Sequence, residues 1–342
     1  PDVCDQGCTL EAAVVQWCQA VRFEGYRVAQ TDPLSSDIKT LAVLDPEFYA
    51  LHDGAQVVPA ALSGQTQPYT VKDLHQRLKR TYQGPIASEV QHLRNAEKRQ
   101  WLWKQLETFP DFKLSSDAQS TLLNQLIRAD GMEQYLARKF VAQKRFSLEG
   151  GDALIPFLDT LLSEGATAHG LKEAVLCMAH RGRLNVMVNI FGVPMGTISK
   201  RFTGDTEAPF ETSGDVKYHL GCSADRMFSG HSVHLSMAYN PSHLEFVNPV
   251  LQGMVKAKQA VDYADEPTAI CAITLHGDAA VCAQGVVPET LNLSRTKAHG
   301  VGGGIHIIVN NQVGHSVSRV ADMTSCHAVS DIFKAFDIPV LH

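Results

Sequence analysis

The chain has 342 residues, 44% of them hydrophobic and 19% charged, with a formal net charge of −6. That is ordinary globular composition, and its mildly acidic balance excludes a nucleic-acid-binding reading from overall charge. No run approaches the roughly 18 apolar residues of a membrane span, and no charged-then-apolar leader follows Pro1.

The region from 1 to about 115 reads as helical. Val14, Val15, Cys18 and Val21 recur at helical spacing. The polar stretch Asp53 to Pro68, dotted with Gly and Pro, reads as a loop. Thr70 and Asp73 form a capping-box pattern ahead of Leu74, Leu78 and Tyr82 on one face. Ser116 is the expected N-cap of a helix ending near Gly131.

Beyond about residue 145 short apolar runs alternate with helical patterns. The expected strands are Ala174–Met178, Val233–Tyr239, Ala269–Leu275, Ile305–Val309 and Ile338–Leu341, with helices near Gly285–Ser294 and Cys326–Phe336. Such alternation predicts an α/β fold class: a helical N-terminal region (1–115) and a largely parallel sheet covered by helices (116–342). The stretch Thr203–Ser213 reads as an exposed loop, and Gly302-Gly303-Gly304 as a tight entry to a strand.

The eight cysteines, Cys4, Cys8, Cys18, Cys177, Cys222, Cys271, Cys282 and Cys326, contain no C-x-x-C pair. They read as free thiols of a reducing compartment. His231, His234 and His243 lie close in sequence but fit no structural zinc spacing.

The segment with the most chemistry follows the strand pattern Ala269–Leu275. His276-Gly277-Asp278-Ala279-Ala280 stands at its carboxyl end, where open α/β sheets bind ligands. A glycine there lets backbone approach a phosphate, and a carboxylate beside it suits Mg²⁺, which takes oxygen ligands. The next strand pattern, Ile305–Val309, ends in Asn310-Asn311-Gln312. A metal–diphosphate anchor is one reading of this spacing. A turn Asp and a strand-end Asn capping the next elements is the other, and spacing alone leaves both open.

The blocks around the anchor carry a resemblance. They are Lys144-Arg145-Phe146-Ser147-Leu148-Glu149-Gly150-Gly151-Asp152, Ala179-His180-Arg181-Gly182-Arg183-Leu184-Asn185-Val186 and Gly214-Asp215-Val216-Lys217-Tyr218-His219-Leu220-Gly221. Asn240-Pro241-Ser242-His243-Leu244-Glu245, Gln284-Gly285-Val286-Val287-Pro288-Glu289-Thr290-Leu291 and Asn310-Asn311-Gln312-Val313-Gly314 follow. In this order and spacing they resemble the thiamine-diphosphate-dependent E1 component of 2-oxoglutarate dehydrogenase. The first 115 residues are similar more loosely, through Thr31-Asp32-Pro33-Leu34 and Leu44-Asp45-Pro46.

The resemblance implies a site. Asp278, Asn311 and the main-chain oxygen of Val313 would bind Mg²⁺, and Arg181, Ser242, Leu244, Ala279 and Ala280 would line thiamine diphosphate. Asp278 and Asn311 would serve the cofactor as well as the metal. His180 and His219 would be the catalytic histidines of the substrate pocket. The implied activity is decarboxylation of 2-oxoglutarate in the tricarboxylic acid cycle, with the succinyl group passed to the lipoyl group of an E2 partner in a complex that also holds E3. The parent would be a homodimer, cytoplasmic in a bacterium or in the mitochondrial matrix of a eukaryote. Because the family's activating glutamate lies in a second thiamine-binding domain, the α/β domain is expected to be incomplete at His342 and the chain alone inactive or weakly active. His315 and the Asp322–Ala328 segment depart from the family pattern, as does Ala283. Two alternatives stand beside this one: an E1 for 2-oxoadipate, and an inactive fragment with a complex-assembly role.

Overall fold

The computed structural model describes residues 9–37, 39–57, 68–108, 113–203, 218–314, 317, 319 and 322–342. Two compact units divide them, one of residues 1–113 with 330–342 and one of 114–329.

In the first unit, α1 (Leu10–Glu24) starts at Thr9, whose hydroxyl accepts from Ala12 N at 3.3 Å. Its buried face is Ala13, Val14, Trp17, Cys18 and Val21. Val15, expected on that face, is exposed, because one step along a helix turns the side chain by about 100°. A short antiparallel ribbon, β1 (Gln56–Val57) and β2 (Tyr69–Thr70), leads into α2 (Val71–Tyr82). Thr70 Oγ1 accepts from Asp73 N at 3.1 Å and donates to Asp73 Oδ2 at 2.7 Å, while Leu74, Leu78 and Tyr82 are buried, as the capping pattern predicts. Most of the expected 53–68 loop lies outside the described residues. β3 (Ser88–Glu89) and α3 (Ala96–Thr108) follow.

The second unit opens with α4 (Ser116–Lys139), whose N-cap is Ser115 and not Ser116. It passes Gly131, where nothing crowds the backbone, and continues because Met132, Glu133 and Leu136 extend its buried face. Then come α5 (Leu154–His169), β4 (Glu173–Met178), α6 (Arg183–Asn189), α7 (Met195–Thr203), β5 (Cys222–Phe228), β6 (His231–Met237) and α8 (Val247–Val261). β7 (Ile270–Gly277), α9 (Asp278–Ala283), α10 (Val286–Leu293) and β8 (Gly304–Val309) complete the unit.

The sheet runs β5-β6-β4-β7-β8, with β6, β4, β7 and β8 parallel and β5 antiparallel at one edge. All six residues of β4 are buried. Its Ala174, Leu176 and Met178 join a core with α4, α5 and α6, while Val175 and Cys177 join a second core with Leu251 and Val255 of α8. A strand covered on both faces loses the polar alternation of a half-exposed one, which is why it reads as a continuous apolar run.

β5 is absent from the expected strands, since Asp225 and Arg226 interrupt its apolar run. The turn Ser229-Gly230, with φ of +47° and +85°, is a two-residue hairpin signal. Thr203, expected in a loop, ends α7, and the rest of that loop falls outside the described residues. The helix expected over 326–336 is only the single turn α11 (Asp331–Lys334). The last expected strand, found as β9 (Val340–Leu341), does not extend the parallel sheet. It pairs antiparallel with β3, within the first unit.

Candidate active site

Four parallel strands bring their carboxyl ends to one edge, and the segments leaving them hold the candidate residues. From β4 the chain turns through His180-Arg181-Gly182 into α6. Gly182 has φ +77°, and a Cβ there would meet Leu148 Cδ1 at 2.5 Å, so glycine alone permits this turn against the 144–152 block. Gly182 N also donates to Phe146 O at 2.9 Å.

That contact builds an aromatic wall. The Phe146 ring stacks on His180 at 4.9 Å between centroids and meets Tyr218 edge-on at 4.7 Å. The His180 and His219 rings are 5.8 Å apart. Asn240, with φ +56°, donates its N–H to His219 O at 3.0 Å, tying the histidine to the loop after β6. Burial, aided by the neighbouring His219 and Arg183, lowers the His180 pKa, so this imidazole resists protonation. The structure thus brings together the two histidines that the resemblance selected, with Tyr218 against both rings and Phe146 against His180 and Tyr218. Asp215, Val216 and Lys217 of the same block lie outside the described residues.

At the ends of β7 and β8 the anchor takes shape. Asp278 is buried at the start of α9, and its Oδ2 accepts from Gln312 N at 2.9 Å. Gln312 adopts φ +59°, and Asn311 Oδ1 accepts from Val313 N at 3.1 Å. The 311–314 turn therefore folds back onto Asp278, and Gly314 packs close to Ala279. Ala280 is half-buried on the same short helix, while Asn311 and Val313 are exposed.

Beside the anchor runs a chain that the sequence did not announce. His276 Nδ1 lies 2.5 Å from Glu245 Oε2, and His276 Nε2 lies 2.9 Å from His306 Nδ1. A carboxylate only accepts, so Nδ1 of His276 carries the hydrogen toward Glu245, and one further hydrogen is shared between His276 Nε2 and His306 Nδ1. Burial, then the neighbouring His276, pushes the pKa of His306 down to about 3. Glu245 reaches His276 from a residue at φ +67°, which ties the Asn240–Glu245 loop to the end of β7. That loop carries Ser242 and Leu244, both exposed. Beneath it lies a cavity lined by Cys177, Ala179, Leu244, Glu245, Asn248 and Thr274, among others. Asn248 Oδ1 accepts from Thr274 at 3.2 Å, while the buried Asn248 Nδ2 has no partner among the described residues.

Arg181 is exposed and donates to Ser147 O at 3.3 Å, away from the Asp278 turn in its hydrogen bonding. Among the described residues no group of three or more His, Cys, Asp and Glu side chains is arranged to hold a metal. His234 is engaged between Asp225 at 2.7 Å and Ser223 at 2.9 Å. Asp278, the Asn311 amide and the Val313 main chain offer oxygen donors only, a chemistry that would fit a hard cation such as Mg²⁺. The Cys18, Cys177, Cys222, Cys271, Cys282 and Cys326 thiols are all free, and Cys4 and Cys8 lie outside the described residues.

A family model described as "Dehydrogenase E1 component" matches residues 125–342. The chain is 39% identical over 337 residues to the 2-oxoglutarate dehydrogenase E1 component of Haemophilus influenzae, covering 96% of this chain and 36% of that protein. It is also 39% identical to the 2-oxoglutarate dehydrogenase E1/E2 component of Corynebacterium glutamicum, over 100% of this chain and 29% of that one. The 2-oxoglutarate dehydrogenase E1 component of Azotobacter vinelandii is 39% identical over 97% of this chain and 36% of that protein. The chain spans about a third of the length of these relatives.

Proposed function

Since the chain belongs to the thiamine-diphosphate-dependent dehydrogenase E1 component family, we propose that the protein carrying it is the E1 of a 2-oxoglutarate dehydrogenase complex. It decarboxylates 2-oxoglutarate oxidatively and passes the succinyl group to the lipoyl group of an E2 partner, with E3 in the same assembly and E1 itself a homodimer.

The carrying observation is the turn that closes Gln312 N onto Asp278 beside the His180–Phe146–Tyr218–His219 cluster. It supports one ligand site with an acidic end at Asp278 that would suit a cation and a donor-lined end at the histidines. Asp278, Asn311 and the Val313 carbonyl would hold Mg²⁺, and Ala279, Ala280, Ser242, Leu244 and Arg181 would line the cofactor. Bound thiamine diphosphate supplies the electron sink for the pair released as CO₂ leaves. The chain's own share is placement. His180, held neutral and stacked on Phe146, offers a hydrogen bond without adding charge, and His219, its ring 5.8 Å away, offers a second polar group on the same wall. Glu245 and His276 fix the loop bearing Ser242 and Leu244.

The test uses the whole protein with thiamine diphosphate and Mg²⁺, following ferricyanide reduction on 2-oxoglutarate and on 2-oxoadipate. Turnover favouring 2-oxoglutarate is expected. A preference for 2-oxoadipate would reassign the substrate, and no turnover on either acid would overturn the reading.

A further inference from the structure

Arg183 is fully buried, yet among the described residues it meets no carboxylate. Its Nε and Nη2 donate to Leu220 O at 3.1 and 2.7 Å, Nη1 donates to Met178 O at 3.3 Å, and Nη2 also reaches Ala238 O. These carbonyls satisfy the donors but leave the charge uncompensated. A buried cation in that condition is expensive to keep, and well-packed apolar residues ordinarily serve a core better. Burial, only partly opposed by the neighbouring Cys222 and Cys177 thiols, drops its pKa to about 10, so the guanidinium still carries its charge at neutral pH.

Its position says what the charge faces. Met178 is two residues before His180, and Leu220 directly follows His219, so the three clamped carbonyls flank the histidine cluster. His180 is held neutral by burial, by His219 and by Arg183 itself. It offers hydrogen bonds but no net charge. Arg181, one residue away, is exposed, and solvent and salt screen it. Among the described residues, the fully buried cation beside the cluster is Arg183.

We propose that Arg183 is a specificity-determining residue: its uncompensated charge selects a substrate with a second carboxylate and disfavours the monoanionic 2-oxo acid of the same length. It acts through the field at the His180–His219 pocket without touching substrate, and its carbonyl clamps hold the two histidines in register. The inference rests on the substrate reading proposed above.

The experiment compares kcat/KM for 2-oxoglutarate and for 2-oxovalerate, five-carbon acids that differ in the far carboxylate, on the whole loaded protein. Arg183→Gln is expected to cut the dianion-to-monoanion ratio roughly tenfold, the scale of one partly screened charge several ångströms away. Arg183→Lys keeps the charge and should retain the ratio within about threefold. If Arg183→Gln does not fold, Cys222→Asp carries the test. Cys222 is half-buried and lies within the electrostatic reach of Arg183, so a carboxylate there supplies an internal counter-charge and should also lower the ratio. Equal losses on both acids would reduce Arg183 to a structural clamp and overturn the proposal. So would an unchanged ratio with weakened thiamine diphosphate binding by calorimetry, which would assign the charge to the diphosphate. If the unchanged protein shows no preference for the dianion, the substrate reading itself falls. If it shows the preference and Arg183→Gln keeps it, only the role of Arg183 falls.

Discussion

The two units each bury an arginine, and they treat it in opposite ways. In the first, Arg22 meets Glu107 through two bonds of 2.7 and 2.8 Å, Tyr82 donates to the same carboxylate at 2.7 Å, and the Trp103 ring lies 4.2 Å from the guanidinium. In the second, Arg183 is held by carbonyls and remains a net charge beside the histidine pocket. A neutralised pair stabilises or specifies a fold. A charge left open is kept where a ligand can complete it. The contrast teaches that burial alone does not mark a functional cation; the absence of a counter-charge does.

Breaking the paired side gives the largest expected effect. Glu107→Ala strands Arg22 in the core and should lower stability by about 3–5 kcal/mol in urea denaturation. The folded fraction should bind thiamine diphosphate as before; weakened binding at equal folding would dissolve the division of labour between the units. Asp278→Ala tests the opposite case. Calorimetry should show Mg²⁺-dependent cofactor affinity falling by about a hundredfold or more, with the melting temperature without cofactor little changed. Unchanged affinity would remove Asp278 from the metal site.

Gly182→Ala sits between the two. The φ of +77° and the approach to Leu148 should cost about 1–3 kcal/mol, and the shifted turn should raise KM for the 2-oxo acid. A loss of stability with kinetics intact would separate the turn from the pocket. The smallest effect belongs to Thr70→Ala, where loss of the cap bond to Asp73 N should cost about 1 kcal/mol in thermal melts and leave kinetics alone.

How much of this was legible in the chain depended on how local each cause is. β4 and β7 were readable because strands covered on both faces are mostly apolar, and β8, a half-buried edge strand, because four of its six residues are Ile or Val. Asp278 and the Asn310–Gln312 turn stood out by their places at strand carboxyl ends, and the structure adds that Gln312 N bonds Asp278. β5 was not readable, since its alternation of half-buried and exposed positions makes sense only once β6 is known to pair with it. Nor was the Glu245–His276–His306 chain, whose members are 31 and 30 residues apart in sequence at its two links. His306 looked like any strand residue until β8 settled beside β7 and set its ring against His276.

The sequence by itself determined the α/β class, because hydrophobic period, caps and glycine turns act over a few residues, and its motif blocks carried the resemblance to the family. Tertiary structure decided which of several buried polar groups are matched. Arg22 and Arg183 are equally cationic on paper, and only the path of the chain brings Glu107 to one and leaves the other facing carbonyls. Counter-charge is a long-range property, set when strands and helices far apart in sequence come to share one low-dielectric interior.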